Sequence, residues 1–153
     1  DEISAVSLPS KERLVSSNDK SYEKSELKKY FFELDECVYK SGLQPELLRS
    51  LENYYYFNER FFTADKISES GFFKNSFKIL KTIPLTESNR IVVDELRELD
   101  ANRIVLRGKI NQEEFYDKKK KIESQIEKGS KKLHVFFDEP VKGQIIIAER
   151  IQN

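Results

Sequence analysis

The sequence predicts an α+β protein: an N-terminal helical segment followed by an α-β-β-α-β-β unit with an antiparallel or mixed four-stranded sheet. Two observations support this prediction. Between Lys20 and Thr63, apolar residues recur at the spacing of a helix. After Pro84, short runs rich in β-branched residues alternate with turn residues, and one well-bounded helix interrupts them. The change of period indicates that the strands lie in the C-terminal half.

The chain of 153 residues divides into three predicted segments. Residues 1–19 mix Ser, Pro and charge without a sustained period, which predicts a flexible arm or tether. Residues 20–71 are expected to form two helices, and residues 72–153 the α+β domain. The chain begins at Asp1 and contains no Met, so we expect a segment of a longer protein.

Helical spacing defines three predicted helices. The first runs from Lys20 to Ser41 and ends at Gly42, with an apolar stripe that includes Cys37 as a small core residue. The second begins near Pro45 and continues to Thr63, and the third runs from Phe72 to Thr82. Consecutive residues of a helix point about 100° apart, so the run of aromatic residues at 54–57 predicts packing and not a stacking platform.

Four strands are predicted from β-branched and alternating runs. They are Asn89–Leu96, Arg103–Ile110, Leu133–Phe137 and Gln144–Ile151. In the second strand, Ile104, Leu106 and Ile110 face one way and the basic residues the other, which indicates one buried face.

The helix between the strand pairs has clear ends. Asn111 can cap it, Glu114 stands at the capping-box position, and Gly129 follows its last turn. Within it, residues Lys118 to Lys121 fan around the axis among glutamates, which predicts a charge-balanced, solvated surface.

Composition argues against catalysis. Basic and acidic residues number 27 each, so no net charge attracts nucleic acid or anionic lipid. The chain has one His and one Cys, and it lacks the glycine-rich phosphate loops and the nucleophile elbow. We expect no catalytic residue, no cofactor and no metal, with His134 at the surface or at a sheet edge.

Six residues are candidates for an interaction surface. Arg103, Arg107 and Lys109 form a basic cluster on the exposed face of the second strand. Ile146 belongs to a run that is apolar on both sides, which fits a central strand or a partner contact. Tyr54 and Tyr55 are the aromatic candidates of the helical segment.

The order of these elements carries a resemblance. The run Phe77-Lys78-Ile79-Leu80 precedes "V-V-D-E-L…N-R-I-V-L-R-G-K-I", in which a strand reaches Gly108 before the helix at Gln112–Lys128. This arrangement resembles the small ferredoxin-like extracytoplasmic domains of bacterial inner-membrane platform proteins in type II secretion and type IV pilus machines. The resemblance implies a ferredoxin-like fold and a non-enzymatic scaffold that dimerises or joins a ring.

The expected function is therefore a non-enzymatic protein–protein interaction or assembly module of a bacterial envelope complex. Two alternatives stay open: a secreted or surface-exposed binding protein that uses the aromatic helices, and a cytoplasmic nucleic-acid-binding regulator that uses the basic strand face. We expect protein partners, including a second copy of the chain, in preference to nucleic acid. The envelope is favoured over the cytoplasm, with membrane attachment only through a segment upstream of Asp1.

Overall fold

A computed structural model describes residues 3–7, 12–86 and 89–151, and the elements below refer to these residues. The strands are β1 (Ser4–Val6), β2 (Arg13–Val15), β3 (Tyr30–Leu34), β4 (Tyr55–Asn58), β5 (Phe61–Ala64), β6 (Phe73–Pro84), β7 (Ala101–Gly108), β8 (Lys131–Phe137) and β9 (Gln144–Ile151). The helices are α1 (Glu36–Tyr39), α2 (Gln44–Ser50), α3 (Asn89–Glu98) and α4 (Gln112–Glu123).

Most strands belong to one mixed sheet of seven, in the order β4-β5-β3-β6-β9-β8-β7. Strands β7 and β8 are parallel and joined through α4, whereas β3 pairs antiparallel with β5 and β6, and β8 pairs antiparallel with β9. Strands β1 and β2 form a separate antiparallel pair. The predicted helical segment followed by a ferredoxin-like, four-stranded unit is therefore wrong: the protein is α+β, but a seven-stranded sheet dominates it.

The predicted N-terminal helices are largely strands. Tyr30–Leu34 is β3, and the expected second helix stops at Ser50 and gives way to β4 and β5. In β3, Phe31 and Phe32 are both fully buried, so both faces of the strand are covered and no alternation of polar residues appears. A short run that is apolar on both faces fits a buried strand as well as a helix, which explains the error.

One further predicted helix is a strand in the structure, and one predicted strand is a helix. The expected helix at Phe72 to Thr82 is β6, a strand of 12 residues, and the expected strand at Asn89–Leu96 is α3. In α3, Val92, Val93 and Leu96 are buried, which is the spacing of one helical face. This spacing and the good helix formers that follow outweigh the β preference of the Ile-Val-Val run.

The remaining predicted elements are confirmed as to type. Strands β7, β8 and β9 lie where the sequence predicts strands, and α4 lies between β7 and β8. The side chain of Asn111 caps α4 by accepting a hydrogen bond from the backbone N–H of Glu113 at 3.1 Å. Helix α4 ends at Glu123, and turns continue to Gly129.

The chain divides into two compact units. Unit 1 comprises Asp1–Lys78 with Ile151–Asn153, and unit 2 comprises Ile79–Arg150. The core of unit 1 is rich in aromatic residues and includes Phe32, Tyr54, Phe62, Phe72 and Phe73. The core of unit 2 is mostly aliphatic and joins both helices to the sheet through Val92, Leu96, Ile104, Ile122 and Ile147. Each unit thus has a hydrophobic core of its own.

The segment predicted as a flexible arm, residues 1–19, contains the β1–β2 pair. Its residues 1, 2 and 8–11 lie outside the described part of the chain. None of the described helices is both long enough and apolar enough to cross a membrane.

Candidate functional site

A cleft of about 570 Å³ lies beside α4 and β7 in unit 2. We call it the α4–β7 cleft. Strand β7 contributes two lining residues, and α4 with the turn after it contributes the others. The lining residues are Asn102, Arg103, Tyr116, Lys119, Lys120, Glu123, Ser124 and Glu127.

The helical period explains why these side chains meet. Tyr116, Lys119, Lys120 and Glu123 follow the i, i+3, i+4, i+7 spacing that places residues on one face of a helix. Ile122 lies on a different face, where it is buried in the core of unit 2. The core contact therefore fixes the rotation of α4 and turns the lysine face toward the cleft.

A hydrogen bond attaches this face to the edge of the sheet. The backbone N–H of Ile104 donates to the Glu123 carboxylate at 3.0 Å. Strand β7 is the last strand of the sheet and pairs only with β8 among the described strands. The bond holds α4 beside β7 at the point where Arg103 precedes Ile104.

The cleft is lined by three basic and two acidic side chains, so basic residues outnumber acidic ones. Within the described residues, Arg103, Lys119 and Lys120 form no ion pair. Glu123, one of the two acidic residues of the cleft, is engaged by the backbone of β7. Tyr116 is 79% exposed, so its ring is available for stacking. The arrangement suits an anion that also presents flat rings.

Of the candidates predicted on the basic strand, Arg103 alone lines the cleft. The guanidinium of Arg107 lies 5.3 Å from the centre of the Phe136 ring, a cation–π contact. Lys109 is exposed beyond the end of β7, and its backbone N–H donates to the Phe137 carbonyl at 3.0 Å. These three residues therefore do not converge on one site.

The other three candidates lie elsewhere. Ile146 is fully buried in β9, opposite Phe136 of β8. Tyr54 is buried in unit 1, where its hydroxyl accepts hydrogen bonds from Ser68. Tyr55 is half-buried, with the Lys28 ammonium 5.0 Å from its ring centre.

Sequence reasoning missed Tyr116, Lys119 and Lys120, because the lysine run was interpreted as a balanced, solvated surface. A signal was present: the aromatic residue stands three and four positions before the two lysines. What the sequence does not show is that this face lies next to Arg103 at a sheet edge.

The described residues offer little for nucleophilic or metal chemistry. They contain no group of three or more His, Cys, Asp or Glu residues placed to hold a metal ion. Cys37 is exposed on α1 and not in the core as predicted. The part of its thiol that neighbouring atoms cover is still desolvated, and this desolvation, followed by the charge of Asp35, raises the pKa of the thiol. A raised pKa keeps the thiol protonated at neutral pH, which opposes nucleophilic attack. His134 is buried in β8, which lies between β9 and β7, so it is neither at the surface nor at a sheet edge as predicted.

Comparisons with known proteins show a likeness of fold. No protein-family model matches the chain, and no curated protein matches it. A solved structure described as a "putative methyltransferase" from Porphyromonas gingivalis W83 is similar, with a TM-score of 0.51 and 17% identity. The match covers 86% of this chain and 31% of that one, so this chain spans about a third of the length of the protein it matches.

Proposed function

We propose that this chain is a non-catalytic nucleic-acid-binding module of a longer protein of the methyltransferase type. The observation that carries the proposal is the α4–β7 cleft, where Arg103, Lys119 and Lys120 have no ion pair in the described residues and Tyr116 is 79% exposed.

The charge of this cleft is local, which is why a neutral composition is compatible with it. Nucleic acid binds mainly through its phosphates, and each contact with a cation releases condensed counterions. Lys and Arg side chains without an acidic partner are the ones that can make such contacts without first breaking an ion pair. Lys132 on β8 lies beside Arg103 in the sheet register and extends the positive charge along the strands.

The assignment of a non-catalytic role is supported by the glycine pattern of the sequence. It contains five glycines, none of them in a G-x-G pattern, so the close backbone approach of a nucleotide-binding turn is missing. The P. gingivalis protein is about three times as long as the part aligned with this chain. We therefore assign substrate binding to this chain and chemistry to another part of the longer protein.

Fluorescence anisotropy tests the binding. A labelled single-stranded RNA of about 12 nucleotides is titrated with the chain at low salt. The triple variant Arg103→Gln/Lys119→Gln/Lys120→Gln should bind at least about tenfold more weakly, with a salt slope reduced by about 0.7 for each lost phosphate contact.

The matched control removes the same charge from other exposed residues. In the variant Lys66→Gln/Lys142→Gln/Arg150→Gln, the affinity should stay within about twofold of the unmodified chain and the salt slope should be unchanged, because these residues lie outside the cleft. The absence of any binding at low salt would overturn the proposal, as would equal losses in the two variants.

Calorimetry with S-adenosylmethionine, a common biological methyl donor, tests the non-catalytic assignment. We expect no heat of binding to the chain. Saturable binding of one donor per chain would overturn that part of the proposal.

A second candidate is the protein–protein assembly module expected from the sequence. The observation that favours it is the position of β7 at the edge of the sheet, where backbone groups face away from β8. Sedimentation over a range of concentrations separates the candidates, since an assembly module associates without nucleic acid. Location in an envelope complex stays a prediction.

A further inference from the structure

Unit 1 contains a cleft of about 390 Å³ that the proposed function does not use. One wall comes from an irregular segment, residues 19–25, which we call the strap. The other wall comes from α2 and the chain that follows it. The lining residues are Ser21, Tyr22, Glu23, Leu48, Arg49, Leu51, Asn53, Tyr54 and Tyr55.

The strap is fixed on both sides of Tyr22. The Lys20 ammonium binds both carboxylate oxygens of the buried Glu46, at 3.0 and 2.6 Å. The backbone N–H of Tyr56 donates to the Glu23 carbonyl at 2.8 Å, and the N–H of Ser25 donates to the Tyr56 carbonyl at 3.1 Å. Hydrogen bonds within the chain thus hold this wall in place, and most small-molecule sites are likewise largely pre-formed.

The accessible aromatic surface at the cleft comes mainly from Tyr22. Tyr22 stacks on Tyr56, with ring centres 4.3 Å apart and planes inclined by 26°, yet Tyr22 remains 40% exposed. Tyr55, which is half-buried, also lines the cleft, whereas the Tyr54 ring is buried and packs against Phe32 and Phe73. A flat ring entering the cleft would therefore meet the exposed part of the Tyr22 ring first.

Cations accompany these rings. The ammonium of Lys24 lies 5.8 Å from the ring centres of both Tyr22 and Tyr56, and Lys24 forms no ion pair among the residues that the structure describes. Arg49 also lines the cleft, but its guanidinium is engaged by Asp19, whose carboxylate lies 3.4 Å away and whose carbonyl accepts a hydrogen bond at 2.7 Å. Aromatic surface beside a free ammonium is the combination that binds a base together with its phosphate.

We infer that the cleft beneath the strap binds one unpaired nucleobase, with the adjoining phosphate at Lys24. Ser21 and Asn53 supply polar side chains for the edge of the base. The inference rests on the proposed function and deepens it, because a base can enter only from a single strand or from a splayed loop. Binding at unit 1 thus requires a single-stranded region in the nucleic acid, whereas the contacts of unit 2 are to its phosphates.

The chain contains no Trp, which permits a local test. In the variant Tyr22→Trp, the indole is the one fluorophore excited at wavelengths that Tyr does not absorb. Single-stranded RNA should quench it in a saturable way, whereas a duplex of the same length and inorganic polyphosphate should not. The variant Tyr116→Trp, which places the indole at the α4–β7 cleft of unit 2, is titrated with the same three ligands for comparison.

Affinity gives a second measurement. Tyr22→Leu should weaken binding of single-stranded RNA about tenfold, since stacking contributes roughly 1–3 kcal/mol for each base. Tyr22→Phe keeps the ring and should bind the RNA as tightly as the unmodified chain. Polyphosphate should bind the unmodified chain, Tyr22→Leu and Tyr22→Phe equally. RNA binding by anisotropy without quenching of the indole in Tyr22→Trp, or with full affinity in Tyr22→Leu, would overturn this inference alone. The absence of any RNA binding would overturn the proposed function as well.

Discussion

The Glu123 carboxylate accepts a hydrogen bond from the backbone N–H of Ile104 at 3.0 Å and so occupies an outward-facing position on the edge strand β7. A further strand would place a carbonyl oxygen there. In an antiparallel pair of two β7 strands centred on Val105, Arg103 of one copy would also face Arg107 of the other. Like charges opposite each other are destabilising, so this particular register of self-pairing is disfavoured.

Replacement of Glu123 tests this relationship. Glu123→Ala should lower the free energy of unfolding by about 1–2 kcal/mol, because the N–H of Ile104 loses a charged acceptor. Glu123→Gln, which keeps an acceptor oxygen, should lower the free energy of unfolding by less than Glu123→Ala does. Urea unfolding followed by circular dichroism measures both. The control is Glu127→Ala, an exposed glutamate in the turns that follow α4. Equal losses in Glu123→Ala and Glu127→Ala would show that the hydrogen bond contributes nothing.

The ion pair of Glu46 with Lys20 should make stability depend on acid pH. Burial raises the pKa of Glu46, but hydrogen bonds from Lys20 and Ser17 outweigh it, so the pKa lies below its ordinary value of 4.5. A lowered folded-state pKa stabilises the protein above the ordinary pKa, and this stabilisation is lost as the pH falls through the folded-state value.

Glu46→Gln should therefore destabilise the chain by about 1 kcal/mol at neutral pH, since the Lys20 side chain is 49% exposed. The difference from the unmodified chain should shrink as the pH falls below about 4.5. Urea titrations at a series of pH values measure it, with the exposed Glu52→Gln as control. A difference that is constant with pH would contradict the ionic origin.

Local sequence patterns predicted the elements whose periods are unambiguous. Helix α4 has a cap at Asn111, and β8 and β9 carry runs of β-branched and aromatic residues. Phe31 and Phe32 were misassigned because burial on both faces of β3 depends on packing with distant segments.

The candidate sites were less predictable, for the same reason. Arg103 could be singled out as a basic residue on a strand, but its meeting with Tyr116 depends on the α4–β7 contact. The stack of Tyr22 on Tyr56 joins residues far apart in the chain through a bridge between Lys24 and Tyr56. No local period indicates such pairings.

The hydroxyl of Tyr54 should contribute to the stability of unit 1. It accepts hydrogen bonds from the backbone N–H and the hydroxyl of Ser68, at 2.7 and 2.9 Å. Tyr54→Phe keeps the ring in the core and removes the acceptor of both donors of the exposed Ser68, so we expect a loss of about 0.5–1.5 kcal/mol in urea unfolding. Tyr55→Phe, at a half-buried ring, is the matched control and should change stability by less than about 0.5 kcal/mol. Similar losses in both variants would contradict a specific role for the Tyr54 hydroxyl.

Gly108 and Gly143 both have a positive φ, but only Gly108 has close neighbours at its Cβ position. Comparing alanine substitutions at the two sites therefore distinguishes the cost of steric contact from the cost of backbone strain. Gly108, at the end of β7, has φ +98°, and a Cβ there would lie 2.2 Å from the Phe137 carbonyl oxygen. Gly143 has φ +80°, with nothing within 4 Å of its Cβ position. Gly143→Ala should therefore cost about 1–2 kcal/mol of backbone strain alone. Gly108→Ala adds a collision with backbone atoms of β8, so we expect a loss of more than about 3 kcal/mol in urea unfolding. Equal losses would mean that β7 and β8 separate freely at this end, and that the close approach of Gly108 to Phe137 does not constrain the edge of the sheet beside α4.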